Sequence, residues 1–98
     1  MDRTSNEDIA LLAAIFQALG NETRLKALML IKDTKRPLHI KAISNALQIE
    51  YAALYRHMKQ LQRSRIVETF DVGRSQVLTL KHKDMLDQLL QITQKIIE

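Results

Sequence analysis

One stretch of the chain combines basic, aromatic and apolar side chains at helical spacing. Between residues 51 and 65 there is no acidic residue. Leu54, Met58 and Leu61 recur at intervals of four and three, which predicts the buried face of a helix. The outward face then carries Tyr51, Ala52, Tyr55, Arg56, Lys59 and Arg63. A basic helix face without acids favours a partner with closely spaced phosphates, as in double-stranded DNA.

The charge is distributed unevenly along the 98 residues, whose net charge is +4. Residues 1–23 sum to −3 and residues 84–98 to −2, whereas residues 24–83 carry 13 basic and four acidic residues. A basic middle between acidic ends indicates a polyanionic partner that contacts the middle only. A basic surface that merely solubilises the chain is the alternative interpretation.

The residues before the basic helix predict two further helices. Asn6 is a candidate N-cap for a first helix, and Gly20 is a natural end for it. Asn21 is expected to cap a second helix over Glu22–Asp33, with a buried stripe at Leu25, Leu28, Met29 and Ile31 or Lys32. Residues 38–40 are expected to form a very short extended segment.

A helix-turn-helix pattern follows. Ile40, Ile43, Ala46 and Leu47 share one face of a short third helix, and residues 48–50 form a tight turn before the basic helix. A short helix, a tight turn and a longer second helix are typical of a helix-turn-helix.

After Ser64 the apolar period changes from helical to alternating. Residues 66–70 and 76–80 predict a β-hairpin, with residues 71–75 between its arms and Gly73 able to take a positive φ. Residues 83–98 predict a last helix with a broad apolar stripe. The expected fold class is mainly α with a β-hairpin wing, a winged helix-turn-helix in the order α-α-(β)-α-α-β-β-α. We expect residues 1–98 to form a single winged-helix DNA-binding domain.

Two segments also resemble a known family. The segment ALGNETRLKALMLI is similar to the second-helix signature of the arsenic-repressor-like (ArsR-type) winged helix-turn-helix transcriptional regulators. The segment ISNALQIEYAALYRHMKQLQRSRIVE resembles the helix-turn-helix of that family, with Arg56, His57, Met58 and Leu61 at its Arg-His-Leu-x-x-Leu core. The resemblance extends over about residues 18–80. It implies a transcriptional regulator that binds double-stranded DNA.

The sequence departs from the pattern of the family at several positions. Gln48 and Arg65 stand where relatives often have glycine, and Tyr55 stands where a serine usually points to the bases. Relatives that sense metals use cysteines before the recognition helix, or paired acids and histidines on the last helix. This chain has no cysteine. Its last helix has His82, Asp84 and Asp87, but no second histidine or acid follows one to three turns further on until Glu98. We therefore expect no metal and no cofactor.

The expected DNA contacts follow from the place of each residue in this fold. The N-terminal part of a recognition helix meets base edges, and residues further along it suit phosphates. Wing and third-helix residues are expected to add contacts to the backbone or the minor groove. For His57, a phosphate contact implied by the resemblance and a structural hydrogen bond both stay open. The full set is Lys41, Tyr51, Ala52, Tyr55, Arg56, His57, Lys59, Arg63, Arg74 and Ser75.

The first and last helices carry more apolar surface than a small domain buries. Contiguous exposed apolar surface of that kind is atypical of a soluble monomer, so we expect a homodimer. The predicted interface consists of Ile9, Leu12, Ile15, Phe16, Met85, Leu86, Leu89, Ile92 and Ile96.

These features predict a sequence-specific DNA-binding transcriptional regulator, most simply a repressor. A winged-helix protein-interaction module within a larger assembly is the alternative. No Ser-His-Asp order, glycine-rich phosphate loop or spaced acid pair points to an enzyme. The longest apolar run has eight residues and the first eight residues are polar and acidic, so we expect a cytoplasmic protein without a membrane segment or signal peptide. The motifs indicate no particular small-molecule effector.

Overall fold

The computed structural model describes residues 5–98, so the first four residues of the polar start lie outside the described part. Within residues 5–98, five helices and three strands follow in the order α1 (Asn6–Leu19), α2 (Glu22–Asp33), β1 (Leu38–His39), α3 (Ile40–Leu47), α4 (Tyr51–Arg63), β2 (Val67–Val72), β3 (Ser75–Leu80) and α5 (Lys83–Ile97). This order confirms the predicted winged helix-turn-helix. No helix in the described part is long and apolar enough to cross a membrane.

The core lies where α2, α3 and α4 meet the sheet. Leu54, Met58 and Leu61 on α4 are at most 1% exposed, which confirms the predicted buried line of this helix. Leu28 from α2 and Ile43 from α3 pack into the same cluster. Each such side chain contributes about 1.5–3 kcal/mol through its burial. The core therefore fixes which face of α4 points away from the protein.

The wing is a longer hairpin than the sequence suggested. The sheet has the order β1-β3-β2, and Val72 pairs with Ser75 across the hairpin. The prediction of a connection over residues 71–75 is therefore wrong, because pairing continues until only Gly73 and Arg74 remain between the strands. Gly73 has a φ of 62°, the positive value expected for it. Six-residue arms project Arg74 further from the core.

The turn of the helix-turn-helix is closed by hydrogen bonds around Ser44. The backbone N–H of Ile49 donates to the Ser44 carbonyl at 3.0 Å, and the Ser44 hydroxyl donates to the Ile49 carbonyl. Gln48 takes the left-handed conformation, with a φ of 55°. Ser44 is buried by this arrangement and Ala46 is exposed, so the expectation that Ala46 faces the core is wrong.

The caps of α1 and α2 set where the two helices begin. Ser5 is the N-cap of α1, not the expected Asn6, since the Ser5 hydroxyl accepts from the Asp8 N–H at 3.1 Å. The Asp8 carboxylate accepts from the Ser5 N–H at 3.3 Å and completes a capping box. Asn21 caps α2 as predicted, with its side-chain oxygen 3.0 Å from the Arg24 backbone nitrogen.

The two terminal helices pack loosely on the rest of the domain. In α1 the only buried residue is Ala18, and in α5 it is Leu86. Every residue from 91 to 98 is exposed. Near its start, α5 is tied to α2 by an ion pair between Lys32 and Asp87, whose nitrogen and oxygen are 3.4 Å apart. Most of the apolar surface of both helices therefore faces away from the domain core.

Candidate nucleic-acid interface

The exposed face of α4 is built by the burial of its opposite face. Tyr51, Ala52, Arg56 and Arg63 are exposed, as expected for residues that point away from the core. Tyr55 is only half-exposed, because its ring packs against the edge of the core cluster. Since α4 contains no acidic residue, the positive charge on this face has no neutralising partner within the helix.

Two tyrosines and a lysine contact one another in a row along α4. The rings of Tyr51 and Tyr55 are stacked, with centroids 6.2 Å apart. The Lys59 ammonium lies 5.0 Å from the Tyr55 ring centroid, which is a cation–π contact. Lys59 also donates to the Gln62 side-chain oxygen at 3.3 Å. These contacts restrict the rotamers of the aromatic side chains before any partner binds.

The remaining predicted contacts lie on α3 and the wing. Lys41 is exposed in the first turn of α3, directly after β1. His39 of β1 pairs with Val77 of β3, so the sheet connects the start of α3 with the hairpin. Arg74 and Ser75 are exposed at the tip of that hairpin. One sheet thus carries both the wing and the segment that leads into α3.

His57 lies on the side of α4 that faces α2. Its Nδ1 is 2.9 Å from Nη1 of Arg24. Arginine stays protonated in proteins, so Nδ1 accepts this hydrogen bond and the proton of the neutral ring sits on Nε2. Burial lowers the pKa of His57, and the positive charges of Arg24 and then Arg56 lower it further. This hydrogen bond supports the structural interpretation of the histidine. Within residues 5–98 the Nε2–H has no hydrogen-bond partner.

Arg24 was not predicted as a site residue from the sequence. The predicted stripe of α2 contained Leu25 and Met29, but both are half-buried, and Arg24 and Ala27 are buried instead. Arg24 is 7% exposed and donates to acceptors on α1 and α4. The apolar periodicity of α2 gave no signal for this burial.

The predicted dimer residues fall into three groups by exposure. Ile15 and Leu89 are half-buried, and Leu86 is 7% exposed within the core of the domain. Leu86 is therefore unavailable to a partner, because the domain already covers it. The other six are exposed, from 39% for Leu12 to 82% for Ile96. Leu11 and Ile97 are also exposed, at 62% and 77%, and were not predicted.

An open apolar groove of about 520 Å³ runs between the two terminal helices. Ile15 and Leu19 of α1 line one side, and Met85, Leu89 and Ile92 of α5 line the other. Ser64, Arg65, Ile66, Leu86, His82 and Gln88 complete its wall. The groove is thus lined by several of the residues predicted for the dimer interface.

The last helix offers no cluster of metal ligands. Asp87 is engaged by Lys32, and Asp84 and His82 are exposed at the start of α5. Over residues 5–98 there is no group of three or more histidine, cysteine, aspartate or glutamate side chains that could hold a metal ion.

Comparison with known proteins gives one family and several similar structures. The model of a family described as "Bacterial regulatory protein, arsR family" matches residues 21–69, from the N-cap of α2 into β2. No curated protein matches the chain significantly.

HlyU from Vibrio cholerae is 25% identical, covers 90% of this chain and 97% of its own, and superposes with a TM-score of 0.75. A homodimeric winged helix-turn-helix DNA-binding domain from Mycobacterium bovis, described as a possible ArsR-family transcriptional regulator, is 23% identical. It covers 97% of this chain and 91% of its own, with a TM-score of 0.78. NolR from Sinorhizobium fredii is 20% identical over 96% of this chain and 95% of its own, with a TM-score of 0.75.

Proposed function

Since the chain belongs to the arsR family of bacterial regulatory proteins, we propose that it binds specific double-stranded DNA as a homodimer and represses transcription. Members of this family are transcriptional regulators and not enzymes. The observation that carries the proposal is the exposed, acid-free face of α4, which combines arginines with the ordered Tyr51–Tyr55 pair. A solvated helix face needs neither the aromatic rings nor the absence of acids.

The recognition helix supplies base contacts through its first two turns. A helix that enters the major groove from its N-terminal end brings those turns nearest to the base edges. Tyr51, Ala52, Tyr55 and Arg56 occupy them. A stacked ring offers an apolar surface to a thymine methyl group and a hydroxyl to a base edge, and an arginine suits guanine. This arrangement favours sequence-specific binding over binding to the backbone alone.

The phosphate contacts surround the base contacts. Arg63 and Lys59 lie further along α4, and Lys41 lies in the first turn of α3. The Nε2–H of His57 is a further donor that could reach a phosphate oxygen. Arg74 and Ser75 at the wing tip are assigned to the minor groove or the adjacent backbone. The four cations among these residues neutralise phosphates on both sides of the groove that holds α4, and His57 and Ser75 add uncharged hydrogen bonds.

The dimer is assigned to α1 and α5. Ile9, Phe16, Met85, Ile92 and Ile96 are all more than half exposed. Exposed apolar side chains concentrated on two neighbouring helices are what a symmetric interface buries. Ile15, Leu12 and Leu89 extend the same surface, whereas Leu86 belongs to the domain core. A two-fold axis through this surface presents two recognition helices to half-sites about one DNA turn apart.

Repression follows from occupancy. A dimer seated in two successive major grooves covers its site and excludes other proteins from it, so steric blocking requires no additional surface. Because a bacterial regulator must reach genomic or plasmid DNA, we place it in the cytoplasm.

The experiment is a selection of bound duplexes from a random pool, followed by binding measurements on the recovered sequence. We expect a pseudo-palindrome whose half-site centres are about 10 base pairs apart. The Ile92→Lys/Ile96→Lys variant introduces charge on the exposed apolar face of α5 and should give folded monomers with sharply weaker binding. Gln91→Lys/Gln94→Lys adds the same charge on the other side of α5 and should remain dimeric. Recovery of no preferred duplex by a dimeric wild type would argue for a protein-interaction module instead.

A further inference from the structure

A single buried guanidinium joins the end of α1 to the middle of α4. Arg24, in the first turn of α2, is 7% exposed. Its Nε donates to the Ala18 carbonyl at 2.6 Å, and Nη2 donates to the Gln17 carbonyl at 3.2 Å. Its Nη1 donates to His57 Nδ1 at 2.9 Å and to the Gln60 side-chain oxygen at 3.0 Å. Four of its five N–H groups therefore have partners on two other helices.

The α1 side of this bridge caps the helix. The last carbonyls of a helix lack intrahelical partners and carry the negative end of its dipole. The last turn of α1 contains no basic residue, so the cation comes from α2 instead. The two carbonyls hold the guanidinium plane at the end of the helix that we assign to the dimer interface.

The α4 side of the bridge contacts two side chains of that helix. His57 and Gln60 are three positions apart and therefore share one face of α4. Both accept from the same guanidinium nitrogen, Nη1. Because the guanidinium is planar and rigid, two acceptors on one nitrogen restrict both the rotation of α4 and its shift along its own axis. Apolar packing at Met58 and Leu61 alone is less directional.

We propose that Arg24 is a positioning residue that fixes the recognition helix relative to α1 and so sets the spacing between the two recognition helices of the dimer. This inference rests on the proposed function, because spacing has meaning only for a DNA-bound dimer. Arg24 is 7% exposed, so its side chain is not available to a DNA backbone or base. It acts through His57 and Gln60 on the α4 side and through the α1 carbonyls on the other.

The test compares two substitutions of His57, of which only one can accept a hydrogen bond from Arg24. His57→Asn places an amide oxygen near the position of Nδ1 and can accept from Arg24, whereas His57→Leu cannot. Both remove the Nε2–H, so a lost phosphate contact affects both equally. Binding is measured on the selected duplex and on duplexes with one or two base pairs inserted or removed between the half-sites. Binding to random duplex and sedimentation are measured in parallel.

We expect His57→Asn to keep the spacing preference of the wild type. Compared with His57→Asn, the His57→Leu variant should bind the correctly spaced duplex about tenfold more weakly, the effect of one lost hydrogen bond to a charged group. The two variants should bind the duplexes of altered spacing about equally. The random-duplex affinity and dimerisation of His57→Leu should match those of His57→Asn. A full spacing preference in the His57→Leu variant would overturn the proposal.

A second variant covers the case in which His57→Leu does not fold. Gln60→Leu removes the other acceptor and leaves the contact with His57 in place, and it should weaken the spacing preference in the same direction. An unchanged preference in this variant also counts against the proposal. A wild type that is monomeric or binds no preferred duplex contradicts the proposed function itself, and that outcome is seen before any variant is made.

Discussion

The phosphate contacts assigned to Lys41 and Arg63 lead to a quantitative salt prediction. Both side chains are exposed, and neither has an ion pair or side-chain hydrogen bond within residues 5–98. The Lys41→Ala/Arg63→Ala variant therefore removes two cations without breaking an intramolecular contact. Each phosphate contact contributes about 0.9 to the slope of log affinity against log salt concentration.

The size of the effect depends on the number of subunits on the DNA. A dimer loses four contacts, so its slope should become less steep by about 3.6. A fourfold increase in salt, from about 50 to about 200 mM, then lowers the ratio of wild-type affinity to variant affinity roughly 150-fold. A monomer on the DNA loses two contacts, and the same increase in salt lowers this affinity ratio only about 12-fold. The two stoichiometries are therefore easy to tell apart.

The assay is fluorescence anisotropy on a labelled random duplex at several salt concentrations. Lys35→Ala/Arg36→Ala is the matched control, since it also removes one exposed lysine and one exposed arginine without an ion pair within residues 5–98, but from the loop that follows α2. The slope of this control should stay within about one unit of the wild type. Equal slopes for wild type and the Lys41→Ala/Arg63→Ala variant would refute the assignment of α3 and α4 to the DNA. A change near 1.8 would refute only the two-subunit geometry.

Two predictions concern stability. Gln48→Gly should raise the free energy of unfolding by about 0.5 kcal/mol, because relief of the left-handed strain at a φ of 55° exceeds the extra entropy of glycine in the unfolded chain. Ala46→Gly, two residues earlier in α3, should lower it by a similar amount, and urea unfolding of both variants checks the sign. For His57, burial and the charges of Arg24 and Arg56 depress the pKa in the folded state. The unfolded chain therefore binds a proton more readily, and stability falls as the pH drops from about 6.5 towards the folded pKa. Urea titrations at several pH values should show this loss in the wild type and not in His57→Asn; identical pH profiles would contradict it.

The sequence predicted the start of α2 and the inner face of α4 correctly because these two signals are local. Asn21 marks the start of α2, and an N-cap acts within three residues of itself. Leu54, Met58 and Leu61 mark the inner face of α4, since burial on a helix repeats at its own period. The outward position of the basic residues follows directly from that face. Local signals thus sufficed for the start of one helix and for the side of α4 that carries the candidate site.

The Arg24 bridge could not be predicted in this way. Its acceptors on α4 are 33 and 36 positions away in sequence. A buried arginine is stable only where those acceptors meet it, because an unpaired buried charge is costly. A prediction from apolar spacing places the polar Arg24 on the exposed face of α2 and Leu25 on the buried face. The predicted N-cap of α1 was wrong by one residue, because Ser5 and Asn6 are both good caps. Only Ser5 has an acid three residues later, which completes the capping box.

The backbone is strained on both sides of α4. Gln48 lies before the helix and Arg65 after it, and both have positive φ values, 55° and 62°. A residue other than glycine in this conformation lowers the stability of the fold by about 1 kcal/mol, and such a residue stands on each side of α4. Such strain persists only where the surrounding packing determines the conformation, and it tends to collect at functional sites. Glycine at these positions would relieve the strain but would also loosen the turns that hold each end of α4. The two strained turns and the Arg24 bridge therefore constrain the same helix at its start, middle and end. This is the arrangement expected if a small rotation of α4 changes the DNA sequence that the protein prefers.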